Sequence, residues 1–325
     1  MNLQWPVINL GARGWTALDA ASDGSYAAVS VRTGRSSARR PQVMQCAQSS
    51  GTAMGAYAVE EVVGKVGAEG YPCTLALPRG DYQMLVLPEP PVPQSEMEPS
   101  LRWSVASMID YPIEEAVIAW MRIPTAEFEP ENEGGRTREQ QVYAIVSRRS
   151  VVDEQAAYFK NSKPPLKAID VRETALRNIA ALLEKKGEGL ALLTVGEDGI
   201  STTFTFKGEL YLDRFTAQPL NEIIDGDAQR RQKFFDRVAQ QVYQSMELIS
   251  RSHPFIPIER VVLGPAPAGL TLGASLAGKL PVPVETLDLA SVFDLSAVPE
   301  LAKPDAQARY MVALGASLRG IRTTT

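Results

Sequence analysis

The sequence predicts a mixed α/β fold made of two similar halves, the second of which begins near residue 186. Short apolar runs with strand spacing alternate with amphipathic helical segments along the chain, which is typical of mixed α/β layers. A group of three strands joined by tight turns occurs near the start and again after residue 189. With 325 residues, of which 45% are hydrophobic, the chain is long enough for a packed core divided into two or more lobes.

The first half begins with a hairpin, because Asp23 and Gly24 form a strong turn signal between two short apolar runs. A later helix starts near Ser95 and stops before Pro112, since the residue before a proline is driven out of helical geometry. The charged segment 127–140 is predicted to be an exposed loop. The other predicted elements are strands at 16–21, 26–32, 43–48, 73–77, 82–88, 116–124, 141–149 and 166–171, and helices at 53–66, 151–162 and 173–187.

The second half repeats the opening pattern of the first. Its three strands, at 190–195, 200–206 and 209–215, are joined by turns at 196–199 and 207–208. The further predicted elements are a long amphipathic helix at 228–251, strands at 260–265 and 282–288, and helices at 272–280 and 307–320. A lobe of this kind, present twice, predicts a nucleotide-binding, actin-like (ribonuclease H-like) architecture.

Composition argues against several classes of function. The net charge of −5 disfavours broad nucleic-acid binding, which requires a basic surface. The two cysteines, Cys46 and Cys73, provide neither a disulfide framework nor a zinc site. The single histidine, His253, argues against histidine-based metal clusters and a Ser-His-Asp triad. We therefore predict no catalytic residue and no metal site.

The sequence also lacks the signals of a membrane-inserted or secreted protein. No stretch approaches the roughly 18 consecutive apolar residues that a membrane helix needs. The N-terminal segment has no lysine-rich start followed by an apolar run, so no secretory signal is predicted. We expect a cytoplasmic protein that reaches a membrane only through a partner.

Four segments, in order along the chain, resemble the MshI proteins, which are the PilM relatives of MSHA-type pilus systems. The resemblance rests on 101–124, with its Leu-Arg-Trp and Ile-Asp-Tyr-Pro motifs, and on 169–183, 208–214 and 312–320. It implies an actin-like fold of two lobes, 1–185 and 186–325, with an α+β subdomain inserted at about 75–140.

The resemblance also implies a function. It predicts a cytoplasmic scaffold, peripheral to the inner membrane, that joins other components of an MSHA-like type IV pilus platform. Its partner would be the cytoplasmic tail of a PilN-type inner-membrane protein. Two alternatives stay open, namely a nucleotide-binding actin-like ATPase and a GspL-like component of type II secretion.

An actin-like nucleotide site has recognisable chemistry. Two hairpin turns bring backbone N–H groups to the phosphates, nearby acidic residues hold magnesium, and a later glycine turn accommodates the adenosine. The candidate residues are Asp19, Ser22, Gly24 and Ser25 in the first turn, Gly196 and Gly199 in the second, and Gly264 and Gly269 in the third.

The sequence has lost part of this chemistry. Thr194 replaces the usual aspartate before the second turn, and Glu197 and Asp198 place negative charge where phosphate oxygens would arrive. Pro265 and Pro267 remove N–H donors from the third turn. We predict a vestigial or weak nucleotide site that requires no cofactor. Binding of ATP with Mg²⁺ at this site stays open as an alternative.

The inserted segment carries the candidates for partner contact, which are Trp103, Asp110 and Tyr111. For Trp103, packing in the core is an equally good interpretation. Asp110 belongs to an acidic group with Glu114 and Glu115, for which we predict a surface role rather than acid–base catalysis.

Overall fold

The computed structural model describes residues 14–33, 40–67, 70–125, 139–267 and 270–319. Most of the predicted loop at 127–140 lies outside these ranges. The strands are β1 (Gly14–Ala20), β2 (Tyr26–Arg32), β3 (Gln42–Gln48), β4 (Cys73–Leu77), β5 (Tyr82–Pro88), β6 (Ala116–Ile123), β7 (Gln141–Arg148), β8 (Leu166–Val171), β9 (Gly189–Val195), β10 (Gly199–Phe206), β11 (Glu209–Ala217), β12 (Ile258–Leu263) and β13 (Val284–Thr286). The helices are α1 (Gly55–Val66), α2 (Met97–Val105), α3 (Arg149–Tyr158), α4 (Arg172–Leu183), α5 (Leu220–Ile224), α6 (Ala228–Ser252), α7 (Leu272–Leu276) and α8 (Pro304–Ser317).

Two five-stranded sheets share one topology. The first has the order β3-β2-β1-β4-β8 and the second the order β11-β10-β9-β12-β13. In each sheet the first three strands are antiparallel neighbours, and the strands that follow run parallel to the first one. The repeat predicted from the sequence is therefore confirmed at the level of strand order and direction.

The space between the two sheets is filled by α4 and α8. Side chains from β1, β2, β9 and β12 join those of both helices in one hydrophobic cluster. The helices touch closely at Gly315, where an added Cβ would lie 2.1 Å from the carbonyl oxygen of Ala175. The outer faces of the sheets are covered by α1 and by α6, whose apolar stripe includes Phe235 and Val238. This arrangement holds the ends of β1 and β9 facing each other.

A smaller three-stranded sheet, of order β5-β7-β6, lies in the chain between β4 and β8. One face packs against α2 through Met97, Leu101 and Val105. The opposite face, which includes Tyr143 and Ile145 of β7, belongs to a hydrophobic cluster that contains residues of both five-stranded sheets, and the Tyr143 hydroxyl donates to the Tyr211 carbonyl of β11 at 3.0 Å. The alternation along β7 follows from the two-residue period of a strand.

The helix that was predicted to stop before Pro112 is shorter in the structure, where α2 ends at Val105. The side chain of Arg102 donates to the carbonyl oxygens of Ile113, at 2.7 Å, and Ala116, at 3.3 Å. These bonds hold the following turn back against the end of the helix. Pro112 therefore sets only the last position at which the helix could end, because the contacts of Arg102 favour an earlier end.

Candidate functional site

A cleft of about 520 Å³ lies where the two halves of the chain meet. Its walls are the β1–β2 turn, the β9–β10 turn, the turn after β4, the start of α4 and the first half of α8. Four of the predicted nucleotide residues line it, namely Asp19, Ser22, Ser25 and Gly196. Gly24 and Gly199 belong to the bordering turns and Gly264 follows β12, while Gly269 lies outside the described residues.

The β1–β2 turn is closed by its own hydrogen bonds. The Ala21 N–H donates to the Ser25 carbonyl at 2.9 Å, and the Gly24 N–H donates to the Ala21 carbonyl at 3.1 Å. The Ser25 N–H donates to Asp23 Oδ1 at 2.9 Å, and the side-chain and backbone hydrogen bonds from Ser25 lower the pKa of Asp23. These three N–H groups are therefore directed into the turn, and a phosphate would have to compete for them.

The β9–β10 turn needs glycine at its end for a steric reason. Gly199 has a φ of +155°, and a Cβ there would lie 2.2 Å from the carbonyl oxygen of Thr216. The Gly196 N–H donates to the Gly199 carbonyl at 2.7 Å. Between these glycines, Glu197 and Asp198 line the cleft. The turn thus contributes negative charge where an actin-like site would receive phosphate.

Asp19, the predicted acidic ligand, is buried and already has a cationic partner. Arg172 Nη1 lies 2.9 Å from Asp19 Oδ1. Burial raises the pKa of Asp19 to about 6 against the opposing effect of Arg172, and the charges of Asp198 and Glu197 add to the increase. A guanidinium therefore occupies one oxygen of the carboxylate that would face a magnesium ion. Sequence reasoning missed Arg172, although its place directly after the buried strand β8 was a usable signal.

A second buried cluster joins the two five-stranded sheets. Arg79, in the turn after β4, lies 2.5 Å from Glu173 Oε1 and donates to Ser201 Oγ at 2.6 Å. Its Nη2 is 3.7 Å from Asp213 Oδ2, and its guanidinium lies over the Phe215 ring. Burial, and then the charge of Glu173, raise the pKa of Asp213 to about 7, while Arg79 opposes the increase. The cluster links the first half to β10 and β11.

A narrow apolar groove, with a cavity of about 60 Å³, lies between the three-stranded sheet and the first five-stranded sheet. Val117, Ala119 and Ile145 form one wall. The opposite wall includes three consecutive residues of β8, from Ile169 to Val171, which places the groove along the edge of that strand. Arg319 Nη1 lies 2.6 Å from Asp170 Oδ2 at this wall.

The predicted partner residues lie elsewhere on the inserted segment. Asp110 and Tyr111 meet around Arg148, whose guanidinium is 4.1 Å from the Tyr111 ring centre and 3.4 Å from Asp110 Oδ1. Trp103 is 84% exposed on the outer face of α2. The residues that line the apolar groove do not include these three.

Within the described part of the chain, no helix has the length and apolar character to cross a membrane. The same residues contain no group of three or more His, Cys, Asp or Glu side chains arranged to hold a metal ion.

Two sheets of this shared topology, with paired helices between them, define the actin-like class of folds. A chain of the PilM–PilN type IV pilus biogenesis complex matches this structure with a TM-score of 0.70. The match covers 95% of this chain and 99% of that chain at 18% sequence identity. The chain therefore has a PilM-like, actin-like fold, and the predicted fold class is confirmed.

Other solved structures match at lower TM-scores. A Bacteroides thetaiotaomicron protein of unknown function with an actin-like ATPase fold matches at 0.49, with 9% identity over 89% of this chain and 96% of that chain. The cytoplasmic domain of EpsL, an inner-membrane component of the type II secretion system of Vibrio cholerae, matches at 0.47, with 13% identity over 89% and 94%. No family model and no curated protein sequence matches the chain.

Proposed function

We propose that this chain is a scaffold of a type IV pilus assembly platform and that it binds the cytoplasmic tail of a PilN-type inner-membrane protein. The fold match with a chain of the PilM–PilN complex, over 95% of this sequence, supports the proposal. The four segments that resemble MshI proteins support the finer assignment to an MSHA-like pilus. On this proposal the protein lies in the cytoplasm beside the inner membrane and joins other platform components there.

The apolar groove is the observation that carries the proposal. Among the described strands, β6 and β8 are the end strands of their sheets, and residues of both line the groove. An end strand presents main-chain N–H and C=O groups that an added peptide strand can pair with. Val117 and Ala119 on one wall, and Ile169 and Val171 on the other, offer burial to an apolar side chain of that peptide. A short extended tail with an apolar anchor residue fits this combination.

The state of the inter-lobe cleft supports a role without nucleotide turnover. Asp19 is paired with Arg172, and three N–H groups of the β1–β2 turn are used inside the turn. Glu197 and Asp198 add negative charge near the place of the phosphates. We propose a degenerate site at which neither ATP nor magnesium is required.

One observation favours the alternative of a nucleotide-binding ATPase. The cleft volume of about 520 Å³ lies within the range of small-molecule pockets, and Arg79, Arg172 and Arg309 line it. A bound nucleotide would have to draw Arg172 or Arg79 away from their buried carboxylate partners. The two candidates therefore differ in whether ATP stabilises the native state.

The tail-binding proposal is tested with a synthetic peptide of the cytoplasmic tail of the PilN-type protein from the same cell. Wild-type protein is expected to retain the peptide, and Val117→Arg is expected to weaken binding at least about tenfold, which corresponds to about 1.4 kcal/mol. The arginine would place a charge against the apolar wall opposite β8.

Val86→Arg is the matched control, because Val86 lies on the same three-stranded sheet, is 48% exposed, and is not among the residues that line the groove. Its affinity for the peptide should equal that of the wild type. Circular dichroism establishes that both variants are folded. Failure of the wild type to bind the tail, or equal loss in both variants, would overturn the proposal.

The nucleotide alternative is tested by thermal unfolding with millimolar Mg-ATP, with ADP and GTP as controls. A ligand that binds only the native state raises the unfolding midpoint by mass action. We expect no ATP-selective increase. A clear increase would establish nucleotide binding and would favour the ATPase alternative.

A further inference from the structure

The outer face of α6 forms a basic groove that the proposed function does not use. α6 spans Ala228–Ser252, and its inner face is buried through Phe235, Val238 and Val242. Along its outer face, two cavities of about 530 and 450 Å³ share Arg237 as a common lining residue. Together these two cavities form the basic groove.

The charge of this groove is opposite to that of the chain. The cations that line it are Arg214, Arg230, Arg231, Lys233 and Arg237, and the carboxylates are Glu222 and Asp225. The whole chain carries a net charge of −5. A local excess of positive charge on an acidic protein attracts negatively charged partners.

Most of these cations are not neutralised by neighbouring carboxylates. Arg230 lies 3.6 Å from Asp227. Arg231 and Arg237 instead donate at 3.3 Å to neutral oxygens, the Gly226 carbonyl and the Gln218 side chain. Among the described residues, no carboxylate lies within ion-pair distance of Arg231, Lys233 or Arg237. An incoming carboxylate would therefore form new pairs without displacing existing ones.

The shape of the groove favours a polypeptide over a flat membrane surface. Arg230 and Gln244 are 14 residues apart on one helix, about 21 Å at 1.5 Å per residue, and an extended chain of about six residues covers that distance. The second cavity is lined by three glutamines and a serine besides its arginines, and such groups hydrogen-bond a peptide backbone. The first cavity also has two largely buried apolar residues, Ile223 and Phe234, among its lining residues, and an apolar side chain can pack beside their exposed edges.

We propose that the basic groove along α6 docks an extended, carboxylate-rich segment of a partner protein that carries one apolar anchor residue. The cations at Arg230, Lys233 and Arg237 recur at three- and four-residue steps, so they lie on one face of the helix. This proposal is independent of the apolar groove, which lies at the three-stranded sheet.

The test uses two fluorescein-labelled ten-residue peptides, measured by fluorescence anisotropy at low and high salt. One peptide contains glutamates around a central leucine, and the other has glutamine in place of every glutamate. We expect the full-length protein to bind the first peptide at least tenfold more tightly, with an affinity that falls as salt is added. Equal binding of both peptides, or no binding of the acidic one, would overturn the proposal.

The double variant Lys233→Glu with Arg237→Glu should lose at least tenfold in affinity for the acidic peptide. Both side chains are exposed, so the variant is expected to fold, and Lys233→Gln with Arg237→Gln provides a milder second form. The control is Lys160→Glu with Lys186→Glu, which changes the net charge equally at exposed sites outside the groove.

The control and Val117→Arg should both bind the acidic peptide like the wild type. Equal loss in the control would show that total charge, rather than the groove, determines binding, and would overturn the proposal. Vesicles with 30% phosphatidylserine serve as a competing probe. The protein could bind these vesicles through Lys233 and Arg237 and yet not bind the acidic peptide. That result would identify the ligand of the groove as a membrane surface and would overturn the proposal.

Discussion

Replacing Arg79 with methionine removes the guanidinium that joins the turn after β4 to the second five-stranded sheet. In the native structure it contacts Glu173 Oε1 at 2.5 Å, Ser201 Oγ at 2.6 Å and Asp213 Oδ2 at 3.7 Å. The side chains of Glu173 and Asp213 are only 2% and 4% exposed. Methionine has a similar length, so the substitution removes the charge and leaves both carboxylates without their shared cation.

Removal of one partner from a buried ion pair costs about 3–5 kcal/mol, because the remaining charge stays desolvated. Protonation relieves part of this cost. Asp213 already has its pKa raised to about 7, and loss of the opposing Arg79 would raise it further. We expect the variant to lose about 3 kcal/mol of unfolding free energy at pH 7.5 and less at pH 5.5, where Asp213 binds a proton in the folded state.

The direction in which stability changes with pH follows from proton linkage. A carboxyl with a folded pKa above its unfolded value of 3.8 binds more protons when folded, so stability falls as the pH rises through the interval between the two values. In the wild type this interval extends from about 4 to about 7 for Asp213. In Arg79→Met it extends to higher pH, so the difference between the two proteins grows with pH.

Urea unfolding monitored by circular dichroism at pH 5.5 and 7.5 measures these differences. The control is Arg122→Met, because Arg122 pairs with Glu89 at 2.7 Å but is 53% exposed, and such surface pairs contribute less than about 1 kcal/mol. Adding Glu173→Gln to Arg79→Met should recover stability relative to the sum of the single changes. A cost for Arg79→Met no greater than for Arg122→Met, or strictly additive changes, would refute the reasoning.

Three further predictions concern a helix contact, a buried side chain and a buried carboxyl. Gly315→Ala should lower the free energy of unfolding by about 2 kcal/mol in a urea titration, because its Cβ would lie 2.1 Å from a carbonyl oxygen of α4. The control Gly64→Ala, on an open helix face, should raise it by about 0.5–1 kcal/mol. Leu101→Ala should cost about 2–5 kcal/mol, and Trp103→Ala on the exposed face of the same helix should stay within about 0.5 kcal/mol. Asp19, with its pKa raised from 3.8 to about 6, makes stability fall as pH rises through that interval, so Asp19→Asn should flatten the profile in thermal melts.

Local sequence patterns predict the elements of this fold well because the interactions that form them are local. The Asp23-Gly24 turn and the Gly196–Gly199 turn were both identified from the sequence, and each closes a hairpin through bonds within a few residues. The repeated order of strands was predicted because each sheet begins with the same succession of turns and apolar runs. The TM-score of 0.70 with the chain of the PilM–PilN complex and the shared strand order of the two sheets together confirm the predicted fold class.

The ion pairs and hydrogen bonds in and beside the cleft could not be predicted from the sequence, because they join residues that are distant in the chain. Asp19 and Arg172 are 153 positions apart, and Arg79 and Ser201 are 122 apart. A local pattern identifies Asp19 as an acidic residue in a suitable turn, yet only the three-dimensional arrangement reveals that a guanidinium contacts it. The apolar groove was missed for a similar reason, since β6 and β8 come together only when the inserted sheet packs on the first one.

The cleft and the apolar groove differ in what a ligand must displace, and this difference favours the scaffold proposal over the ATPase. In the cleft, the buried Asp19 and Arg172 already form an ion pair at 2.9 Å. A nucleotide that recruited this arginine would leave a buried carboxylate without its partner, at a cost comparable to the binding energy gained. In the groove, the outer edges of β6 and β8 pair with no strand in the described part of the chain. A tail peptide paired with these edges would gain main-chain hydrogen bonds and apolar burial beside the Asp170–Arg319 ion pair of the groove wall.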